Sequence, residues 1–219
     1  MAQGLRDRVA VVTGGGSGIG RAICLGFARE GARVVVVSNV EPEAESVAAD
    51  VRALGTDGTA RVVDVTDAAR VRALADELSR TFGSADILVT ITSAREPVLK
   101  GEWIGTGVHV NAAGSNSLIR REIDEETVRR MSRIVTDDLE QAKIEGGDLL
   151  PSVERGQIHW GQVHGLAEVV AGYYPGRADV EENTLFNSLG LAAEDIAAAA
   201  VVYEKAVAQG IGERVPMFE

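Results

Sequence analysis

The chain has 219 residues, 45% of them hydrophobic and 25% charged, which suits one globular core and excludes a disordered segment. A formal net charge of −11 and the absence of a long Lys/Arg run argue against a nucleic-acid partner, whose phosphates need basic clusters. No apolar run is long enough to span a bilayer, and residues 1–8 lack the apolar core of a secretory signal, so a cytoplasmic protein without a membrane partner is expected.

Val9-Ala10-Val11-Val12 predicts a first strand, residues 18–30 a helix, and Val34-Val35-Val36-Val37 a second strand. Val-rich runs without polar alternation are the mark of parallel strands buried on both faces. A helix over 41–54 follows, with Ala44, Val47, Ala48, Val51 and Leu54 at helical spacing, then a third strand over 61–65. A helix over 68–82 carries Val71, Leu74, Ala75 and Leu78 on one face and leads into a fourth strand over 86–90. Later strands are expected at 108–111, 133–136 and 184–186, and helices at 125–131, 138–145, 161–171 and 192–209, the last stopped by Gly210. The mixed-sign run 120–126 reads as a solvated helix start, and Trp103 and Trp160 as packing residues. Cys24, the sole cysteine, sits in an apolar run and reads as a buried structural thiol. His109, His159 and His164 show no ligand spacing, so no metal is expected.

Alternating strands and helices with right-handed crossovers give an α/β fold: a doubly wound, mostly parallel sheet flanked by helices. No repeat or linker divides it, so residues 1–219 are expected to form a single domain. At its first strand–helix junction stands Thr13-Gly14-Gly15-Gly16-Ser17-Gly18-Ile19-Gly20. Glycines at 14, 18 and 20 let the chain turn tightly beside a pyrophosphate, and the helix N-terminus offers N–H groups and partial positive charge. Such a turn can also serve as a plain connector, but the strand before and helix after are the context a dinucleotide site requires. The expected fold is therefore a Rossmann fold holding NAD or NADP, with Thr13, Gly14, Gly16, Ser17, Gly18, Ile19 and Gly20 as cofactor contacts.

Residues 4–89 resemble the short-chain dehydrogenase/reductase family, whose Thr-Gly-x-x-x-Gly-x-Gly turn is matched by Thr13, Gly14, Gly18 and Gly20. The resemblance also takes in Asp64-Val65, which implies that Asp64 accepts a hydrogen bond from the adenine amino group. Read alone, Asp64 is equally a strand-end cap. Where NAD-preferring members end strand two in an acid, this chain has Ser38 followed by Asn39, which leaves NAD against NADP open. The family's Asn-Asn-Ala-Gly is replaced by Thr90-Ile91-Thr92-Ser93, and no tyrosine has lysine four residues on, so its acid–base pair is missing.

Residues 85–214 instead resemble the ornithine cyclodeaminase/mu-crystallin family, through 85–99, His109-Val110-Asn111-Ala112-Ala113-Gly114-Ser115-Asn116 and Thr184-Leu185-Phe186-Asn187-Ser188-Leu189-Gly190. This resemblance implies that Thr90, Thr92, Ser93, Asn111, Ser188, Leu189 and Gly190 line the nicotinamide side of the site. It also places the family's catalytic acid on Asn116, which cannot take up a proton, and finds no counterpart here for the family's N-terminal substrate and dimerisation domain. The change of resemblance in strand four suggests a chimera of 1–89 and 90–219. Three readings follow: a dinucleotide-binding domain with little or no native catalysis and no assigned catalytic residue; an oxidoreductase turning over a small carbonyl or imine near Asn116, Ser93 and His109; or a folded scaffold without cofactor affinity. The Ala-rich helix at 192–209 can either pack on the sheet or form the face of a homodimer, since small side chains allow close helix approach.

Overall fold

The computed structural model describes residues 4–213. Residues 1–3 and 214–219 belong to the expected domain, and the former to the signal reading and the latter to the end of the 85–214 resemblance; they lie outside the described residues.

The Val-rich runs become β1 (Val9–Thr13) and β2 (Arg33–Ser38), paired in parallel with Val11 opposite Val35. β3 (Gly58–Val62) joins β2, and β4 (Ile87–Thr90) joins the other edge of β1. The chain thus moves outward from β1 to β3 and then returns across β1, which creates the switch point between β1 and β4. The sheet continues through β5 (His109–Ala112), β8 (Thr184–Asn187), β6 (Arg133–Thr136) and β7 (Val163–Gly165), in the order β3-β2-β1-β4-β5-β8-β6-β7 with every pairing parallel. The eight-stranded sheet agrees with the expected doubly wound α/β fold.

Alternation along β1 and β2 decides which core each residue enters. Ala10, Val12, Val34 and Val36 pack with α1 (Gly18–Arg29) and α2 (Glu41–Ala53), among them Cys24, Ala28, Val47 and Val51. Val9, Val11, Val35 and Val37 face Leu74 and Leu78 of α3 (Ala68–Phe82), whose N-terminus Asp67 caps through the N–H groups of Ala69 and Arg70. In the second half, Val110, Ala112, Ile134 and Leu185 pack with α4 (Glu125–Arg129) and α6 (Leu150–Glu154). Asp124 caps α4, and Asp138 caps α5 (Leu139–Glu145). Trp103 and Trp160 pack against this cluster, as expected.

Three expected elements differ. β3 begins at Gly58 rather than 61 because a side chain there would meet Ala48 O at 2.4 Å, so only glycine lets the strand slide under α2. The helix expected over 161–171 is β7 followed by α7 (Leu166–Val170); a three-residue edge strand is too short to show a period of two. The run 120–126 is not a solvated helix start: Glu122 and Ile123 are fully buried, and the helix begins only after Asp124.

The chain divides into two compact units, residues 1–189 and 190–219. The first holds the whole sheet. The second carries α8 (Ala192–Gln209), closed by Gly210 in the left-handed conformation that favours glycine. Among the described residues no helix is long and apolar enough to cross a membrane.

Candidate functional site

The glycine turn between β1 and α1 is shaped by close approach. A side chain on Gly20 would meet Gly14 O at 2.1 Å, and one on Gly16 would meet Ser38 Oγ at 2.8 Å and Glu43 Cβ at 2.9 Å. Gly14 and Gly18 take φ of +65° and +52°. Ser17, the residue before α1, makes no side-chain cap, and the first turn of α1 contains no acid. The other long helices of the first half bring their own carboxylates: Glu41 and Glu43 in the first turn of α2, Asp67 before α3. The N-terminus of α1 thus carries no acid in its own first turn and no side-chain cap from Ser17.

Beside this turn, at the switch point, lies a cleft of about 380 Å³. It brings together seven of the expected site residues: Gly14, Ser38, Asn39, Asp64, Val65, Thr92 and Ser93. Ile91, Thr66 and Ala94, which the sequence did not single out, complete much of its wall. Ser38 is buried, with its Oγ accepting from the Val40 N–H at 3.2 Å, whereas Asn39 is exposed. Asp64 lies past the end of β3, where its Oδ1 accepts from the N–H and Oγ1 of Thr66 at 2.9 and 2.7 Å. These bonds hold its carboxyl below the usual carboxylate range.

The remaining expected residues are placed otherwise. Thr13 donates to Val89 O at 3.1 Å and so ties β1 to β4, and Ser17, Gly18 and Ile19 stand exposed at the head of α1. Thr90 is buried, with its hydroxyl on Glu122. Asn111 does not reach the cleft: alternation along β5 turns it, with His109, onto a sheet face that lines a separate cavity with Arg133, Thr184 and Phe186. His109 and Ser93 thus line different cavities and cannot serve one substrate, which removes the grouping of Asn116, Ser93 and His109. Burial and the nearby Arg177 hold the His109 imidazole below the usual histidine range. Ser188 Oγ and the Leu189 N–H both donate to Asp137 Oδ2, at 3.0 and 2.8 Å, and Gly190 opens the second unit with φ of +81°. Among the described residues no group of three metal-ligating side chains occurs.

Sequence reasoning missed a set of buried acids behind the strand ends. Glu122 accepts four hydrogen bonds, from Thr90 Oγ1, Thr92 N–H, Thr92 Oγ1 and Gly114 N–H. Asp148 in turn accepts from the N–H groups of Glu122 and Ile123. Burial pushes the Asp148 carboxyl up to about 7, and raises that of Glu122 despite its four donors. The partners lie 8 to 32 residues away from Glu122, so no local period reports them. The available signal was Gly114, where a side chain would meet Thr92 O at 2.2 Å.

Residues 43–210 match the ornithine cyclodeaminase/mu-crystallin family. The chain belongs to this family. The match crosses residues 89 and 90, so the junction expected in strand four, and with it the two-parent reading of 1–89 and 90–219, finds no support. Among curated relatives, alanine dehydrogenase of Archaeoglobus fulgidus is 43% identical over 145 residues, which are 66% of this chain and 43% of that protein. Ketimine reductase mu-crystallin of Mus musculus is 41% identical over 120 residues, 55% of this chain and 36% of that protein. The match to each covers less than half of that family member. The Thermococcus litoralis Delta(1)-pyrroline-2-carboxylate reductase, solved with NADH and L-proline, superimposes with a TM-score of 0.76 at 31% identity, over 98% of this chain and 62% of that one. An archaeal alanine dehydrogenase dimer with bound NAD gives a TM-score of 0.73 at 32% identity, over 99% of this chain and 64% of that one.

Proposed function

We propose that this chain is one nucleotide-binding domain that holds NAD or NADP across the switch point between β1 and β4. The observation that carries this reading is the uncapped N-terminus of α1, set directly after a glycine turn with no room for side chains at Gly14, Gly16 and Gly20 and beside the cleft. In this reading the pyrophosphate lies against Gly14, Gly16, Ser17, Gly18, Ile19 and Gly20. Asn39, Asp64 and Val65, beyond β2 and β3, meet the adenosine half, while Thr92 and Ser93, beyond β4, meet the nicotinamide half. Ser38 ends β2 where NAD-selective sites place an acid, and Asn39 follows with an amide, so the ribose is met by hydrogen bonding without charge selection. Family relatives solved with NADH or NAD support the reading.

A second reading, reduction of a small imino or keto acid, is supported by relatives named as pyrroline-2-carboxylate, ketimine and iminosuccinate reductases. A bound reduced nicotinamide would supply hydride. The cleft's own ionisable side chain is Asp64, already bonded to Thr66. Binding therefore ranks ahead of turnover for these residues. We also expect a homodimer, supported by α8: none of its residues is buried, and Ile196, Val202, Tyr203 and Val207 are exposed. Light scattering on a size-exclusion column checks it, and a monomer at every concentration would remove it.

Thermal unfolding with NAD, NADH, NADP and NADPH tests the first reading. A ligand at about a hundredfold excess over its Kd stabilises the folded state by about 2.7 kcal/mol, a rise of several degrees that Gly18→Val should abolish. A cooperative transition unmoved by all four leaves a scaffold without affinity. Oxidation of NADPH or NADH on adding a cyclic imino acid would promote the second reading.

A further inference from the structure

The loop at 91–94 leaves β4 and the turn at Gly114 leaves β5, two neighbouring strands on the nicotinamide side of the switch point. The fully buried carboxylate of Glu122 sits between them. Its Oε1 accepts from the Thr92 N–H at 2.5 Å and Thr92 Oγ1 at 2.8 Å; its Oε2 accepts from the Gly114 N–H at 2.6 Å and Thr90 Oγ1 at 3.1 Å. Glu122 is itself held from behind. Its N–H donates to Asp148 Oδ1 at 2.7 Å, and its carbonyl accepts from the N–H groups of Val98 and Leu99.

We propose that Glu122 is a positioning residue of the dinucleotide site, fixing the 91–94 loop against the Gly114 turn so that the wall facing the nicotinamide half is preformed. This rests on the dinucleotide reading above. Four donors converge on its two oxygens, an arrangement that an ionised carboxylate satisfies in full. Each oxygen holds one backbone N–H and one hydroxyl. A glutamine of the same shape must therefore turn its NH2 toward one backbone N–H, of Thr92 or of Gly114. A hydroxyl can rotate to accept from that NH2; a backbone N–H cannot. The substitution thus displaces one of the two loops while leaving the adenosine side of the cleft intact.

The experiment compares binding of NADH, NADPH and ADP to wild type, Glu122→Gln and Thr90→Val by calorimetry, with thermal unfolding as a fold check. ADP carries the adenosine and diphosphate but no nicotinamide. Glu122→Gln should weaken the preferred dinucleotide about tenfold and ADP by less than about twofold, the effect of one misplaced buried donor. Thr90→Val, which removes one hydroxyl and keeps both backbone N–H groups, should give a smaller loss of the same selectivity, about twofold to threefold. Equal loss for dinucleotide and ADP, or no loss for either, would overturn the proposal. If Glu122→Gln does not fold, Thr90→Val decides by the same ratio. A wild type that binds neither ligand refutes the dinucleotide reading and this proposal with it, whereas a wild type that binds both isolates the test to Glu122.

Discussion

The two halves of the sheet are held together by different chemistry. In the first half β1 and β2 are runs of valine, and both of their faces are covered, by α1 and α2 on one side and α3 on the other. From β5 onward the strands have three or four residues, one face is apolar, and the strand ends are tied by buried acids: Glu122 to β4 and β5, Asp137 to the turn after β8, Asp148 to the chain before α4. Apolar packing is non-directional and tolerates small shifts, whereas a carboxylate with four donors fixes each partner to within tenths of an ångström. The first half therefore supplies a platform, and the second supplies placement.

Glycine substitutions give the largest expected contrast. In Gly114→Ala the new Cβ would stand 2.2 Å from Thr92 O and 2.7 Å from Glu122 Oε1, so the brace itself must open, at a cost of about 3 kcal/mol or more. Gly18→Ala adds a Cβ with nothing within 4 Å and meets only the strain of φ +52°, about 1 kcal/mol. Urea unfolding of the two variants measures the difference. Equal midpoints would mean that the Gly114 turn yields freely, and the distinction between platform and placement would lose its basis.

The next contrast is in pH dependence. Val36 is fully buried in the first half, and Val36→Ala should cost about 2 kcal/mol at every pH, since no proton is involved. Asp148 behaves differently, because its carboxyl is raised on folding from 3.8 to about 7. Between these values the folded protein keeps a proton that the unfolded chain has released. The stability Asp148 contributes is thus complete below 3.8 and is lost as pH rises through 7. Asparagine has no such transition. Relative to wild type, Asp148→Asn should gain melting temperature steadily from pH 4 to 7 and stay level above. Parallel pH curves for the two proteins would show that Asp148 is not the proton holder in this network.

The same division explains what could be read from the residues. Val9-Ala10-Val11-Val12 and Val34-Val35-Val36-Val37 announce buried parallel strands because their cause is local, and Gly14, Gly18 and Gly20 mark the turn because a missing side chain is visible in one dimension. Glu122 looked like part of a solvated charge run, since the donors that make its burial tolerable come from 92 and 114, brought near only by strand pairing. Asn111 was assigned to the cofactor from a motif, yet its place in β5 turns it to the opposite cavity; a motif gives proximity in sequence, and alternation decides the face. The β7 edge went unseen because Val163-His164-Gly165 carries no apolar alternation of its own.

Cys24 offers the finest probe of whether the halves open separately. Its thiol is fully buried beneath the glycine turn, with Sγ 3.9 Å from Gly15 O, and burial pushes it up to about 12, so labelling requires both exposure and deprotonation on opening. The rate of reaction with a thiol reagent therefore reports opening around α1 and β1. Val36→Ala, in the same apolar cluster, should accelerate labelling about thirtyfold, the equivalent of about 2 kcal/mol. Glu122→Gln loosens the far strand ends and should change the rate by less than about twofold if the platform stands without the brace. Acceleration of Cys24 labelling in step with the loss of global stability would instead make the sheet one cooperative unit, with the buried acids supporting the valine core as much as the loops they touch.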